Sequence, residues 1–293
     1  MAMTTSNASP LYIPEGWPGR QMSTCVQASG VDWHVQQHGD IGPVIVLLHG
    51  AGASLHTWQR IWPSLSARHQ VIVLDLPGHG FSTPLTGDYT LERTAVALDD
   101  LLKTMRVTPD VVLGHSAGGA IAMQWALDTR AAPKAVAAIN PALLPFNGIA
   151  GLTFPVLARL MAITPMLSNI IAARARSRSG IERLITNTGS HIPDALLDGY
   201  HSLMQSPSHV KSVLSMMANW QLDDLLPRWR SGSVPLHVAL GSLDRAVPPG
   251  RTQQALRDMP ATHIHRWLSR GHLAHEESPD DVVAWLKEEG LCL

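Results

Sequence analysis

Residues 111–124 read VVLGHSAGGAIAMQ: an apolar run stopped by Gly114, a polar pair at His115 and Ser116, then a cluster of small residues. Gly114-His115-Ser116-Ala117-Gly118 fits the pattern G-x-S-x-G. The setting gives the match meaning, because a strand-like run leads in and a helical pattern leads out. A serine at such a strand-to-helix turn takes a strained backbone that lifts its hydroxyl to the carboxyl edge of a sheet. Glycine at 114 and 118 keeps side chains out of the space where the helix must pass neighbouring strands. Ser116 is therefore the candidate nucleophile.

Outward from this corner, PVIVLLHG (43–50), QVIVLDLPGHG (70–80), DVVLGHS (110–116) and KAVAAINP (134–141) are continuous apolar runs ended by Gly, Pro or polar residues. Such runs predict parallel strands buried on both faces. Between them, Leu91, Ala95, Leu98, Leu102 and Met105 recur at helical spacing after Thr90 as N-cap, and a second helix continues from Ala117. Upstream, STCVQASGVDWHVQQHG (23–39) alternates around Ser29-Gly30 and predicts an edge hairpin. The first 21 residues read as a frayed or surface-draped arm without the basic and apolar regions of a secretory signal.

Strand and helix alternate, so the fold class is α/β with a mostly parallel central sheet flanked by helices. The alternation stops over 146–232, where helical patterns carry Met161, Met166, Met204, Met216 and Met217 and no strand stands out. This stretch is expected to be an inserted helical cap, with 1–145 and 233–293 forming the core. The alternation resumes with VPLHVALGSLD (234–244), a helix over 249–259, THIHRWL (262–268), and a last helix with Ser278 as N-cap and Pro279 at its first position.

A serine hydroxyl is a poor nucleophile at neutral pH; it needs a base, and the base needs an orienting acid. After the cap the chain supplies Asp244, in the turn GSLDRAVPP, and His272, in SRGHLAHEESP, each just past a strand end. The order serine, acid, histidine is that of this motif class. Asp223 and Asp224 are alternative acids, but they lie in the cap, where a solvated helix face is the simpler account. The expected oxyanion donors are the backbone N–H of Ala117, directly after the nucleophile, and that of Ala51 in LLHGAGAS. His49 reads as a prop for that loop.

Composition narrows the classes further. The chain has 293 residues, 45% of them hydrophobic, and a net charge of −1 with no basic stripe, so a nucleic-acid partner is not expected. Two cysteines, Cys25 and Cys292, make no disulfide framework, and a cytoplasmic setting is the default. His263 and His265 share a strand face, and HLAHEE adds His275 and Glu276, yet neither HExxH nor a zinc-ligand spacing appears. No metal and no cofactor are expected.

Together LLHGAGASLHTW, DLPGHGFS, GHSAGGA, GSLDRAVPP and GHLAHEESP resemble the α/β-hydrolase superfamily, which implies that fold with an inserted cap. Within it, INPALLPFNGIAGLTFPVLARL, VDWHVQQHG and residues 187–220 are similar to the magnesium-chelatase accessory proteins, BchO type, of bacteriochlorophyll-synthesis gene clusters. That resemblance implies a role in photosynthetic pigment biosynthesis near magnesium insertion, with magnesium chelatase as a partner.

Residues 151–178 are apolar for two helical lengths, broken by Arg159 and Pro165, and turn basic at Arg174, Arg176 and Arg178. The stretch is too broken for a membrane span and reads as a cap helix over the site, with peripheral membrane contact as the alternative. A Met-rich roof suits a hydrophobic substrate, a porphyrin ester among them. His115, Met161, Met216 and Met217 are the expected substrate contacts. Three functions fit: a serine hydrolase of esterase type, a pigment-binding accessory protein with an idle triad, and a cofactor-free perhydrolase or carbon–carbon bond hydrolase.

Overall fold

The computed structural model describes residues 11–144 and 177–293. Eight strands form one sheet: β1 (Ser23–Ala28), β2 (Val31–His38), β3 (Val44–Leu48), β4 (Gln70–Leu74), β5 (Val111–His115), β6 (Ala135–Ile139), β7 (Leu236–Gly241) and β8 (Thr262–Trp267). Their spatial order is β1-β2-β4-β3-β5-β6-β7-β8. The β1–β2 and β2–β4 pairs are antiparallel, and every pair from β4 to β8 is parallel. The hairpin lies at the edge, turning through Ser29 at φ 52° and Gly30 at φ 72°, the left-handed pair that matches strand twist.

The central strands are apolar throughout because both faces are covered. β3 turns Val46 and Leu48 toward one core and Ile45 and Leu47 toward the other. The first core is closed by α2 (Leu91–Met105) and α3 (Ala117–Asp128). The second is closed by Trp58, by Trp62 of the short α1 (Trp62–Leu65), and by Trp285 and Leu286 of the last helix. Complete burial of one such Leu or Ile is worth about 2 kcal/mol relative to exposure. Thr90 caps α2 by accepting the Arg93 N–H at 3.3 Å.

Between β6 and β7 the described residues form α4 (Arg178–Asn187), α5 (Asp194–Met204), α6 (Pro207–Ala218) and α7 (Leu225–Arg230), with no strand among them. These helices and their loops grip the loops that leave the carboxyl ends of the strands. Tyr89 donates to Ser212 at 3.0 Å, His209 Nδ1 accepts the Gly80 N–H at 3.1 Å, and Ser190 Oγ accepts the Leu273 N–H at 2.8 Å. After β7 come α8 (Pro249–Leu256), then β8, α9 (Ala274–Glu277) and α10 (Pro279–Glu288).

Two sequence expectations take a more definite form in the structure. Of the frayed and the surface-draped arm, residues 11–22 match the draped one: Ile13 and Trp17 are buried against Leu203 of α5, and the Trp17 and Phe81 rings meet edge to face at 4.8 Å. Ser278 holds the N-cap position of α10, but its side chain makes no capping bond. Among the described residues no helix is long and apolar enough to cross a membrane.

Candidate active site

Ser116 joins β5 to α3 with φ 51° and ψ −115°, a conformation that a residue with a Cβ adopts only under strain. Three backbone bonds hold it there. Its N–H donates to the Ile139 carbonyl at 3.0 Å, and its own carbonyl accepts from Gly119 and Ala142, each at 3.1 Å. A side chain at Gly114 would meet Gly118 backbone at 2.3 Å, and one at Gly118 would meet the Leu48 carbonyl at the same distance. The helix can therefore start at the serine only because both positions lack a Cβ.

Asp244 lies just past β7 and is 5% exposed. Its Oδ1 accepts the N–H groups of Ala246 and Val247 at 2.8 Å each, leaving Oδ2 to accept from His272 Nδ1 at 2.8 Å. That bond places the His272 proton on Nδ1 and leaves Nε2 with a free lone pair, the form a general base requires. Asp223 and Asp224 take no part in it. The Ser116 hydroxyl makes no hydrogen bond among the described residues.

His272 is instead tied to the serine through its own backbone. Its carbonyl accepts from His115 Nε2 and from Asn140 Nδ2, both at 2.9 Å. Asn140 also donates to the Gly271 carbonyl at 2.9 Å, and its Oδ1 accepts the Gly241 N–H at 2.8 Å. One buried amide thus joins the ends of β6 and β7 to the loop carrying His272. Glu277 holds the same loop, accepting the Gly271 N–H at 2.9 Å and the His191 N–H at 3.1 Å.

Opposite the elbow, the loop after β3 brings Gly50 so close that a Cβ there would lie 2.8 Å from His115 Nδ1 and 3.0 Å from Ser116 Cβ. His49 props this loop, donating from Nδ1 to the Gly50 carbonyl at 2.8 Å and accepting the Leu76 N–H on Nε2 at 2.9 Å. Burial, reinforced by His79, pushes His49 down to about 3, so it is neutral at any physiological pH. Among the described residues neither the Ala51 nor the Ala117 N–H is engaged in a hydrogen bond. Beneath the loop, Asp75 accepts from Leu55 N–H, Phe81 N–H and His34 Nδ1 at 2.7, 2.9 and 2.7 Å. Burial works to raise its pKa, yet His34, His49 and the Leu55 N–H hold it below the ordinary carboxylate value.

Behind His272 lies a second buried group. The His115 ring centroid is 4.7 Å from that of His272 and 4.3 Å from that of His275. His275 Nε2 donates to Thr57 Oγ1 at 2.6 Å, and Thr57 donates in turn to Glu276 Oε1, which also accepts from Tyr200 at 2.6 Å. Burial pushes the Glu276 carboxyl up to about 7 and the His275 imidazole well below its ordinary value.

The expected substrate contacts fare differently. His115 is fully buried and committed to the His272 carbonyl, so it supports the site and does not line it. Met216 is 1% exposed and packs in the main core with Leu222, Leu225 and Trp229. Met217 is half-buried, and Met161 lies outside the described residues. His265 packs against Trp267 and Trp285, away from His275 and Glu276. Asn140 and Glu277 escaped the sequence reading. The signal for Asn140 was a polar residue closing the strand run KAVAAINP at the edge where Ser116 emerges; asparagine also tolerates the left-handed φ of 45° found there.

A strained serine on a β5–α3 turn, with an aspartate and a histidine paired at the ends of later strands of a mostly parallel sheet, defines a hydrolase architecture. The sequence profile of the alpha/beta hydrolase family matches residues 45–285, and the chain belongs to that family. It is 40% identical over 284 residues to the magnesium-chelatase 30 kDa subunit of Rhodobacter capsulatus, spanning 95% of this chain and 99% of that protein. Among solved structures, an alpha/beta hydrolase fold protein from Burkholderia ambifaria superposes with a TM-score of 0.77 at 23% identity, over 91% of this chain and 97% of that one. An esterase from Exiguobacterium antarcticum gives 0.75 at 18% identity, over 92% and 99%.

Proposed function

We propose that this protein is a serine hydrolase of esterase type acting on a hydrophobic ester, with Ser116 as nucleophile, His272 as general base and Asp244 as its orienting acid. The observation that carries the reading is the 2.8 Å bond from His272 Nδ1 to Asp244, which frees Nε2 on a loop anchored to the residue before Ser116. In the reaction, Nε2 takes the hydroxyl proton as Ser116 Oγ attacks the ester carbonyl. The N–H groups of Ala51 and Ala117 receive the developing oxyanion. Collapse breaks the ester C–O bond, and the imidazolium returns the proton to the leaving alkoxide. Water then repeats the sequence on the acyl-serine and regenerates the enzyme.

Residues 146–232 act as the lid in this reading, with the contacts of α6 on the loops after β3 and β4 in support. The relationship to a magnesium-chelatase subunit suggests a tetrapyrrole ester as substrate. It equally favours a second reading, a pigment-binding accessory protein that assists the chelatase without using the serine.

A fluorophosphonate probe tests the first reading, because it reports an activated serine independently of substrate identity. Ser116 is expected to be labelled, and His272→Ala to slow labelling by about a thousandfold or more. Labelling at full rate without His272 overturns the assignment.

A further inference from the structure

At the edge of the sheet opposite Ser116, three side chains converge that belong to no part of the site above. His237 and His263 are the second residues of β7 and β8 and face each other in register across the parallel pair. Their rings are stacked, with centroids 4.6 Å apart and planes 12° apart. Glu289, directly after α10, places one oxygen against both: Oε2 lies 2.7 Å from His237 Nδ1 and 3.6 Å from His263 Nδ1. A ligand atom from each of the three lies within 4.8 Å of the other two.

We propose that His237, His263 and Glu289 form a binding site for a first-row transition-metal dication, with zinc the preferred ion. Imidazole and carboxylate donors bind such an ion at about 2.0–2.2 Å. Ligands that close together around it therefore lie roughly 3.0–3.6 Å apart, a spacing that the two Nδ1–Oε2 distances bracket. In the metal-free form His237 Nδ1 donates its proton to Glu289 Oε2 at 2.7 Å, while His263 Nδ1, at 3.6 Å, lies beyond hydrogen-bond reach. In the bound form each ring holds its proton on Nε2, and the two Nδ1 lone pairs and the carboxylate oxygen turn to the ion. The charge ledger is simple: two neutral donors and one anion meet a dication, and no oxidant or reductant is required.

Burial grades across the site in the way an entry path requires. The His237 side chain is 9% exposed and Glu289 21%, whereas His263 is 59% exposed, so solvent reaches the open coordination positions from that side. The donor set disfavours magnesium, which takes oxygen ligands in a near-octahedral shell and keeps several waters. A bound ion would clip the C-terminal helix to the two edge strands. No spacing in the sequence reveals this site, because its ligands come from three elements brought together only by the sheet.

The test uses the full chain without a polyhistidine tag, stripped with chelator and titrated with zinc chloride by calorimetry and with cobalt(II) chloride by visible absorption. One equivalent is expected to bind, with the intense visible bands of four- or five-coordinate cobalt. Zinc is expected to raise the thermal midpoint. His263→Ala, at an exposed position that the fold does not need, and Glu289→Gln should each weaken binding by about tenfold or more and abolish the thermal gain. Absence of saturable binding overturns the site, as does unchanged affinity in either variant.

Discussion

Glu276 carries a fully buried carboxyl group between Thr57, Tyr200 and His275, and its proton affinity is raised to about 7 from an ordinary 4.5. In the unfolded chain the same group ionises near its ordinary value. Between about 4.5 and 7 the unfolded state has therefore lost a proton that the folded state keeps, and stability falls as pH rises. The total loss is roughly 3 kcal/mol, complete above about pH 7. Buried histidines act in the opposite sense at lower pH: His49, His56 and His209, held near 3 to 4, cost stability as pH drops below about 6.5. Glu276→Gln keeps the shape and the two accepted hydrogen bonds while removing the ionisation. On going from pH 5.5 to pH 8 in denaturant unfolding, the wild type should change less favourably than the variant by about 2 kcal/mol, the histidines contributing equally to both. Equal pH slopes in the two proteins would refute the buried ionisation.

Among the elements, α3 comes close against the sheet, where a methyl group at Gly118 would fall 2.3 and 2.6 Å from the Leu48 and His49 carbonyl oxygens. These are backbone atoms of a central strand and the loop that follows it, and neither can rotate away. Gly118→Ala should cost about 2 kcal/mol or more in denaturant unfolding, as overpacking of a rigid interior does; a stability within error of the parent would show that α3 sits farther out. This element was legible in sequence because its constraint is local: the glycines that admit the helix are two residues either side of Ser116. The parallel strands were legible for a related reason, since burial on both faces erases the polar alternation that marks an exposed strand. Asn140 and the His237–His263–Glu289 cluster were not, because their partners lie from 26 to more than 100 residues away and only the strand order brings them together. The tie of His115 was hidden for the same reason: its partner is a backbone carbonyl 157 residues further on.

On the scale of the whole molecule, the two functional readings diverge over a single oxygen atom. Ser116→Ala deletes the nucleophile and keeps the Cβ, the backbone bonds and every surface on which a partner or pigment could rest. Loss of a nucleophile costs several orders of magnitude in rate, whereas one small hydroxyl contributes little to a broad binding surface. In a bacteriochlorophyll-forming host lacking its own copy of the gene, the folded Ser116→Ala protein is expected to leave pigment as low as the deletion does, with an ester precursor accumulating. Normal pigment at normal expression would hand the case to the accessory reading. The chain order adds a consequence for the moments before the fold exists. Ser116 and Asn140 are synthesised well before Asp244, and His272 follows last of the four. Until then the amide of Asn140 lacks the His272 loop it holds in the fold. A chain made only as far as Asp244 thus exposes a serine with no base beside it, and reactivity waits for the His272 loop.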